Sequence, residues 1–144
     1  MADRRANVKW NGDLMSGSGT IDDVGSGAFG PLDVSWPARS EDVSGGKTSP
    51  EELIAAAHAS CFAMAFANGL AKAGTPPEQL RTSANVTFVP GTGITKIALT
   101  VEGRVPGLAE DAFVAAAEDA KQNCPVSQAL AGVGEITLDA RLAS

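Results

Sequence analysis

The feature that most constrains this chain is a long, almost uncharged segment that begins at Ser49. Ser49 is a typical N-cap residue, Pro50 suits the first helical position, and Glu52 stands three residues after the cap. Apolar residues then recur at helical spacing until Gly74 and the prolines behind it end the pattern. The predicted helix has about 23 residues and is apolar over most of its surface. A protomer of this size can hardly enclose it alone, which indicates the core of a dimer.

The composition excludes several classes of protein. The chain has 144 residues, 44% hydrophobic and 19% charged, as expected of one globular domain over residues 1–144. A formal net charge of −6 and an aromatic content of 5% predict no binding to nucleic acid and no attraction to an anionic membrane. The longest apolar run, 55–67, is interrupted by polar residues and is too short to span a bilayer. No apolar stretch resembling a secretion signal follows Met1, so we expect a cytoplasmic protein.

Strands and shorter helices are predicted on both sides of the long helix. The strands are predicted at 8–10, roughly 15–24, 34–36, 83–89, 95–105 and 135–142. Two further helices are predicted at 108–122 and from 125 to about 131. This order, without internal repeats or a linker, predicts a single α+β domain.

Two local patterns give finer expectations. Pro37 is expected to end the third strand, which leaves Arg39 in the loop that follows. The helix at 108–122 is expected to bury a stripe of four apolar residues: Phe113, Val114, Ala117 and Ala120.

The chain has two cysteines, which is too few for a disulfide scaffold. Cys61 falls in the long helix, where an unreactive core cysteine is the simplest interpretation. Cys124 precedes Pro125 and so stands at a helix N-cap, where unpaired amides and the helix dipole stabilise a thiolate. A plain capping role explains the same position. Together the two cysteines suit a reactive thiol with a resolving partner.

Other side chains allow two further kinds of site. A reactive thiol needs a cation, and Arg39 is available, with Glu51 able to orient it by a bidentate ion pair. Glu51 equally fits ordinary dipole compensation in a first helical turn. His58 and Cys61 share one helix face and, with Cys124, supply three zinc ligands, whereas structural zinc usually has four. His58 is equally well explained as a packed histidine without chemistry.

Two long motifs resemble the osmotically inducible protein C family, a sister of the organic hydroperoxide resistance proteins. They are SPEELIAAAHASCF at 49–62 and CPVSQAL at 124–130. Segments 94–99, 105–107 and 135–139 are similar as well, so the resemblance covers essentially the whole chain in order. It implies an α+β fold in which antiparallel sheets wrap two long central helices of an intertwined homodimer. It also implies that no metal, haem or other cofactor takes part.

The resemblance assigns roles to four residues. By similarity Cys61 is the peroxidatic thiol, Cys124 the resolving thiol, Arg39 the residue that stabilises the thiolate and Glu51 the residue that holds the arginine. It implies a thiol-dependent hydroperoxide reductase of stress defence, acting through a Cys61 sulfenic acid and a Cys61–Cys124 disulfide. An external dithiol of lipoyl type would then reduce the disulfide. The N-cap argument alone favours Cys124 as the nucleophile.

Several alternatives stay open at this stage. Apolar neighbours such as Phe62 and Met64 favour organic hydroperoxides over hydrogen peroxide, or else simply belong to the core. Ser40 follows Arg39 where many relatives have an aromatic residue, so Arg4 or Arg5 is an alternative cation. A non-catalytic dimer that binds a small apolar ligand at its interface, and a zinc-stabilised domain, are the alternatives from other classes of protein.

Overall fold

The structure is a computed structural model that describes residues 1–143, and the chain falls into two compact units. The first unit covers Met1–Leu53 and the second begins at Ile54. The elements, in chain order, are β1 (Ala6–Asn11), β2 (Ser18–Val24), β3 (Leu32–Val34), α1 (Trp36–Ser40), α2 (Pro50–Lys72), β4 (Gln79–Val89), β5 (Gly93–Arg104), α3 (Glu110–Asn123), α4 (Pro125–Ala129) and β6 (Glu135–Leu142). The predicted α+β class is confirmed, whereas the single domain stays a prediction.

The first unit holds an antiparallel sheet in the order β1–β2–β3. Strand β2 begins at Ser18, three residues later than predicted, because Asp13 organises a turn before it. The Asp13 carboxylate accepts hydrogen bonds from the Ser16 amide at 2.8 Å and the Ser16 hydroxyl at 2.9 Å, which lower the pKa of Asp13. Gly17 closes the turn, and a side chain there would collide with the Asp13 carbonyl oxygen.

The predicted strand at 34–36 is wrong at its end. Strand β3 stops at Val34, and the chain then turns into the short helix α1. Ser35 is the N-cap, and its hydroxyl accepts a hydrogen bond from the Ala38 amide at 3.2 Å. Pro37 sits in the first turn, where an amide would have no helical partner in any case. Arg39 therefore lies in the last turn of a helix and not in a loop.

The long helix α2 has the predicted bounds. The Ser49 hydroxyl accepts a hydrogen bond from the Glu52 amide at 3.2 Å, as expected of an N-cap. At the other end Gly74 has a φ of +87°, and the Thr75 amide donates to the Leu70 carbonyl at 2.9 Å, which closes the helix in a Schellman-like turn. Sequence capping signals therefore determine both ends of the helix.

The second unit contains a sheet in the order β4–β5–β6, and this sheet is mixed, so the expectation that both sheets are antiparallel is wrong. Strands β4 and β5 form the predicted antiparallel hairpin, and β6 pairs with β5 in parallel. The parallel pairing follows from the connection, because α3 and α4 lie between the two strands and carry the chain back across the sheet. The predicted alternation on β5 is confirmed, with Ile97, Leu99 and Val101 facing the core.

The core of this unit lies between the sheet and the helices α2 and α3. Phe66 is central, with its ring centroid 5.8 Å from that of Phe62 and 5.0 Å from that of Phe113. Helix α3 buries Phe113, Ala117 and Ala120 as predicted, but Val114 is 37% exposed, so its place in the apolar stripe was wrong. A three-residue buried stripe is sufficient because the helix packs on one side only.

Gly103 on β5 allows Phe113 to pack flat against the sheet. A Cβ at this position would lie 2.6 Å from the ring Cζ of Phe113 and 3.0 Å from Leu80 Cδ2. We therefore expect Gly103→Ala to lower the free energy of unfolding by about 1–3 kcal/mol, through overpacking. Urea denaturation measures this change, with Gly132→Ala as control, since a Cβ there meets no atom within 4 Å. Equal unfolding midpoints for the two variants would contradict this account.

Helix α2 is only partly buried within the chain, in line with the expectation that one protomer can hardly enclose it. Phe62, Phe66 and Leu70 point into the core, but Met64 on another face is 71% exposed. With 23 residues and a mean hydropathy of 1.5, the helix also meets the length and composition criteria for a membrane span. The sequence analysis considered only uninterrupted apolar runs and therefore missed this property. Because α2 supplies three of the core side chains, we interpret it as the core helix of a globular fold.

Candidate active site

The two cysteines, 63 positions apart in sequence, meet in the second unit as free thiols. Cys61 lies in the middle of α2 and is half-buried, whereas Cys124 has no exposed surface. The two side chains lie close enough for each to shift the pKa of the other. The two thiols that the resemblance pairs are therefore neighbours in the reduced protein.

Cys124 is the more acidic of the two thiols. Burial, the largest influence, raises its pKa, but hydrogen bonds outweigh burial and lower the pKa of Cys124 overall. The donors are the Ser127 amide, the Cys61 thiol, the Ser127 hydroxyl and the Val126 amide. The amides face the sulfur because Cys124 is the N-cap of α4, although no side-chain capping hydrogen bond of standard geometry is closed.

The pKa of Cys61 is shifted in the opposite direction, to a higher value. Burial raises the pKa of Cys61, and donation of its proton to Cys124 raises it further, while the Val126 amide only partly opposes these effects. In the resting pair the negative charge therefore favours Cys124, in line with the N-cap argument. A cation at Cys61 would be needed to reverse this order.

Arg39 and Glu51 form a partly buried ion pair in the first unit. Arg39 Nε and Nη2 each lie 2.9 Å from Glu51 Oε1, so both nitrogens share one oxygen and the pair is not the predicted two-oxygen fork. Glu51 is only 6% exposed, and among residues 1–143 no hydrogen-bond donor reaches its Oε2. Glu51 thus holds the guanidinium and keeps one buried oxygen available to another donor.

His58 and Ser127 form a second buried polar pair, and Ser127 was missed by the sequence analysis. His58 Nε2 lies 2.7 Å from Ser127 Oγ, and His58 has no exposed surface. Burial lowers the pKa of His58, so the ring is neutral near neutral pH. No group of three His, Cys, Asp or Glu side chains arranged to hold a metal occurs within residues 1–143. His58 faces Ser127 and is not part of such a group.

Cys61 also opens onto a groove of about 600 Å³. Its walls are largely apolar, and its rim is polar. The lining residues are Cys61, Met64, Ala65, Asn68, Gly69, Lys72, Ala116, Asp119, Ala120, Asn123 and Pro125. Met64 lines this groove, whereas Phe62 belongs to the core. A reagent that enters the groove meets the Cys61 sulfur, while Cys124 stays covered behind it.

Known proteins are similar to this chain over most of its length. A family model for OsmC-like protein matches residues 43–139. Peroxiredoxin OsmC of Escherichia coli (strain K12) is 41% identical over 98% of this chain and 97% of its own length, and Peroxiredoxin OsmC of Shigella flexneri gives the same values. These matches confirm the predicted family and the predicted class of enzyme, a cysteine-based peroxidase.

Solved structures confirm the predicted fold of the single chain. An organic hydroperoxide resistance protein OsmC from Legionella pneumophila superposes with a TM-score of 0.68, at 24% identity over 97% of each chain. An OsmC-like protein from Vibrio cholerae gives a TM-score of 0.70, at 18% identity over 97% of this chain and 99% of that chain. On the strength of its sequence, its fold and its paired cysteines, the chain belongs to the OsmC-like protein family.

Proposed function

We propose that the protein reduces organic hydroperoxides with Cys61 as the attacking thiol and Cys124 as the resolving thiol. One observation carries this proposal: the two thiols are neighbours that shift each other's pKa, and Cys61 opens onto a groove whereas Cys124 is fully buried. The apolar groove walls, including Met64 and Ala65, favour an organic group on the substrate, so hydrogen peroxide should react more weakly. The family relationship to peroxiredoxins supports the same chemistry.

The proposed reaction has three steps. The Cys61 thiolate attacks the outer oxygen of ROOH, the O–O bond breaks, and the leaving alkoxide takes a proton to become an alcohol. Cys61 is now a sulfenic acid, and the Cys124 thiolate attacks its sulfur, which releases hydroxide and forms the Cys61–Cys124 disulfide. An external dithiol, of lipoyl type by resemblance, then reduces the disulfide by exchange.

Arg39 is the proposed source of the positive charge that shifts the thiolate to Cys61. A positive charge is required because, in the reduced protein, the pKa of Cys61 is raised and that of Cys124 is lowered. Glu51 holds the guanidinium, and its burial on the first turn of α2 makes that orientation rigid. Arg4 and Arg5 are the alternatives in the same unit.

A stoichiometric thiol count tests the function directly. We expect reduced protein mixed with one equivalent of tert-butyl hydroperoxide to lose both thiols and to form an intramolecular disulfide. Mass spectrometry identifies the disulfide, and a thiol reagent counts the free cysteines. Thiols that persist for hours would contradict peroxide reduction and favour the non-catalytic alternative. The groove of about 600 Å³ supports that alternative as a site for a small apolar ligand.

A homodimer centred on α2 is also part of the proposal. The support is the exposed face of a mostly uncharged 23-residue helix, where Met64 is 71% exposed. The further expectation is a cytoplasmic enzyme that needs neither nucleic acid nor a membrane, in keeping with a net charge of −6.

We expect Met64→Glu to convert the dimer to a monomer. Each buried methionine side chain contributes about 1.5–3 kcal/mol, and a two-fold interface loses it twice while gaining two carboxylates. Sedimentation velocity measures the change in mass. Val114→Glu is the matched control, since Val114 is a partly exposed apolar residue on α3. A wild-type protein that sediments as a monomer would contradict the dimer.

A further inference from the structure

The proposed mechanism does not use His58, although this residue shares a helix face with Cys61. His58 has no exposed surface, and its Nε2 is 2.7 Å from Ser127 Oγ. Its other ring nitrogen, Nδ1, is buried without a hydrogen-bond partner among residues 1–143. A buried polar group in this state costs stability, so one that serves only packing would be better replaced by an apolar side chain.

Ser127 connects His58 to Cys124. Ser127 lies on the first turn of α4, three residues after the N-cap Cys124, and is only 8% exposed. Hydrogen bonding by its hydroxyl is one of the influences that lower the pKa of Cys124. A hydroxyl has one proton, so a Ser127 hydroxyl that donates to Cys124 accepts from His58, which then carries its proton on Nε2. The unpartnered Nδ1 is then a lone pair.

We propose that His58 is a positioning residue for the resolving step: it holds the Ser127 hydroxyl so that its proton points at the Cys124 sulfur. The chain Nε2–H···Oγ–H···S then presents Cys124 as a thiolate to oxidised Cys61. This inference rests on the proposed function, in which Cys124 attacks the sulfenic acid of Cys61. Neither His58 nor Ser127 gains or loses a proton in the step.

In the resolving step one sulfur–oxygen bond is exchanged for one disulfide bond. The Cys124 thiolate forms the S–S bond, the S–O bond of the sulfenic acid breaks, and hydroxide leaves toward the groove. The titratable side chain next to Cys124 is Cys61, and the charged residues near it, Lys72 and Asp119, line the groove on the Cys61 side. The hydrogen-bond chain that begins at His58 reaches Cys124 through Ser127.

A titration of Cys124 tests the inference without peroxide. In a Cys61→Ala background, thiolate absorbance in the ultraviolet reports the pKa of Cys124 directly. We expect Ser127→Ala and His58→Leu to raise this pKa, because the first removes the hydroxyl that donates to the thiolate and the second removes the group that orients this hydroxyl. We expect His58→Gln to preserve the pKa, since its amide N–H can replace Nε2–H. Ser60→Ala is the control, because Ser60 is an exposed hydroxyl on the same helix that bonds the Ala57 carbonyl.

The rate of disulfide formation is the second readout. Loss of a hydrogen bond to a charged group reduces the thiolate fraction by about tenfold at a pH below its pKa. A less stabilised thiolate is a better nucleophile, with a Brønsted slope near 0.5, so resolution should slow by about threefold. Sulfenic acid formation at Cys61, trapped with dimedone, should keep its wild-type rate in Ser127→Ala.

The outcomes separate this inference from the proposed function. Unchanged Cys124 titration in both Ser127→Ala and His58→Leu would overturn the positioning role, as would a His58→Gln variant that behaves like His58→Leu. If His58→Leu does not fold, Ser127→Ala and His58→Gln decide the question. A wild-type protein inert to hydroperoxide would refute the proposed function, while the titration would still decide whether His58 and Ser127 stabilise the Cys124 thiolate.

Discussion

Replacing Cys61 with serine should abolish hydroperoxide reduction, with kcat/KM falling by about 10³-fold or more. A serine hydroxyl stays protonated at neutral pH, and its oxygen cannot form the sulfenic acid on which the later steps depend. Peroxide consumption in the presence of a dithiol measures this loss. Ser60→Ala, at the residue before Cys61, is the control and should retain wild-type rates, because the Ser60 hydroxyl is exposed and bonds the Ala57 carbonyl.

Cys124→Ser should behave differently from Cys61→Ser. The first turnover should remain, since the groove and Cys61 are intact, but no intramolecular disulfide can form. Sulfenic acid should accumulate at Cys61 and react with dimedone. The reverse pattern, in which Cys61→Ser still consumes peroxide and Cys124→Ser does not, would assign the attacking role to Cys124. That comparison matters because the resting pair lowers the pKa of Cys124 and raises that of Cys61.

Replacing Arg39 with alanine should lower kcat/KM at neutral pH by about a hundredfold. A hundredfold change corresponds to about 2.7 kcal/mol, which is the order of magnitude that a nearby unit charge contributes to a thiolate at an effective dielectric constant of 20. Loss of this charge destabilises the Cys61 thiolate and so raises the pKa of Cys61. Activity should therefore fall at neutral pH and recover as the pH rises, and the pH–rate profile measures that shift.

Two arginine variants control for charge alone. Arg141→Ala removes the same charge from an exposed ion pair with Asp139 and should leave activity unchanged. Arg5→Ala tests the alternative cation, and a large loss there with none in Arg39→Ala would reassign the role. The kcat/KM of Glu51→Gln at neutral pH should lie between those of wild type and Arg39→Ala, because a neutral amide still accepts a hydrogen bond from the guanidinium.

Elements with local signals were the ones that sequence could predict. Helix α2 matched at both ends because Ser49 and Gly74 act through hydrogen bonds to residues within one turn. The strand at 34–36 failed because Ser35 was overlooked as a cap, although its local pattern resembles that at Ser49. The predicted burial of Val114 failed for a different reason. The width of the stripe that a helix buries depends on the elements that pack against it.

In the candidate site, too, the features with a local sequence signal could be predicted, and those that depend on distant residues could not. The resemblance pointed to both cysteines, but no local pattern records that residues 63 positions apart are neighbours. The His58–Ser127 hydrogen bond joins residues 69 positions apart and was missed for that reason. The acidity of Cys124 was accessible, since an N-cap position and a following proline are visible in sequence.

The proximity of the two thiols before oxidation has a consequence for durability. A sulfenic acid is over-oxidised irreversibly when a second peroxide reaches it before a thiol does. Here Cys124 already lies close enough to shift the pKa of Cys61, so the proposed disulfide joins side chains that are neighbours in the resting protein. The enzyme should therefore survive high peroxide doses with little sulfinic acid at Cys61, and its working lifetime should be limited by the supply of reductant.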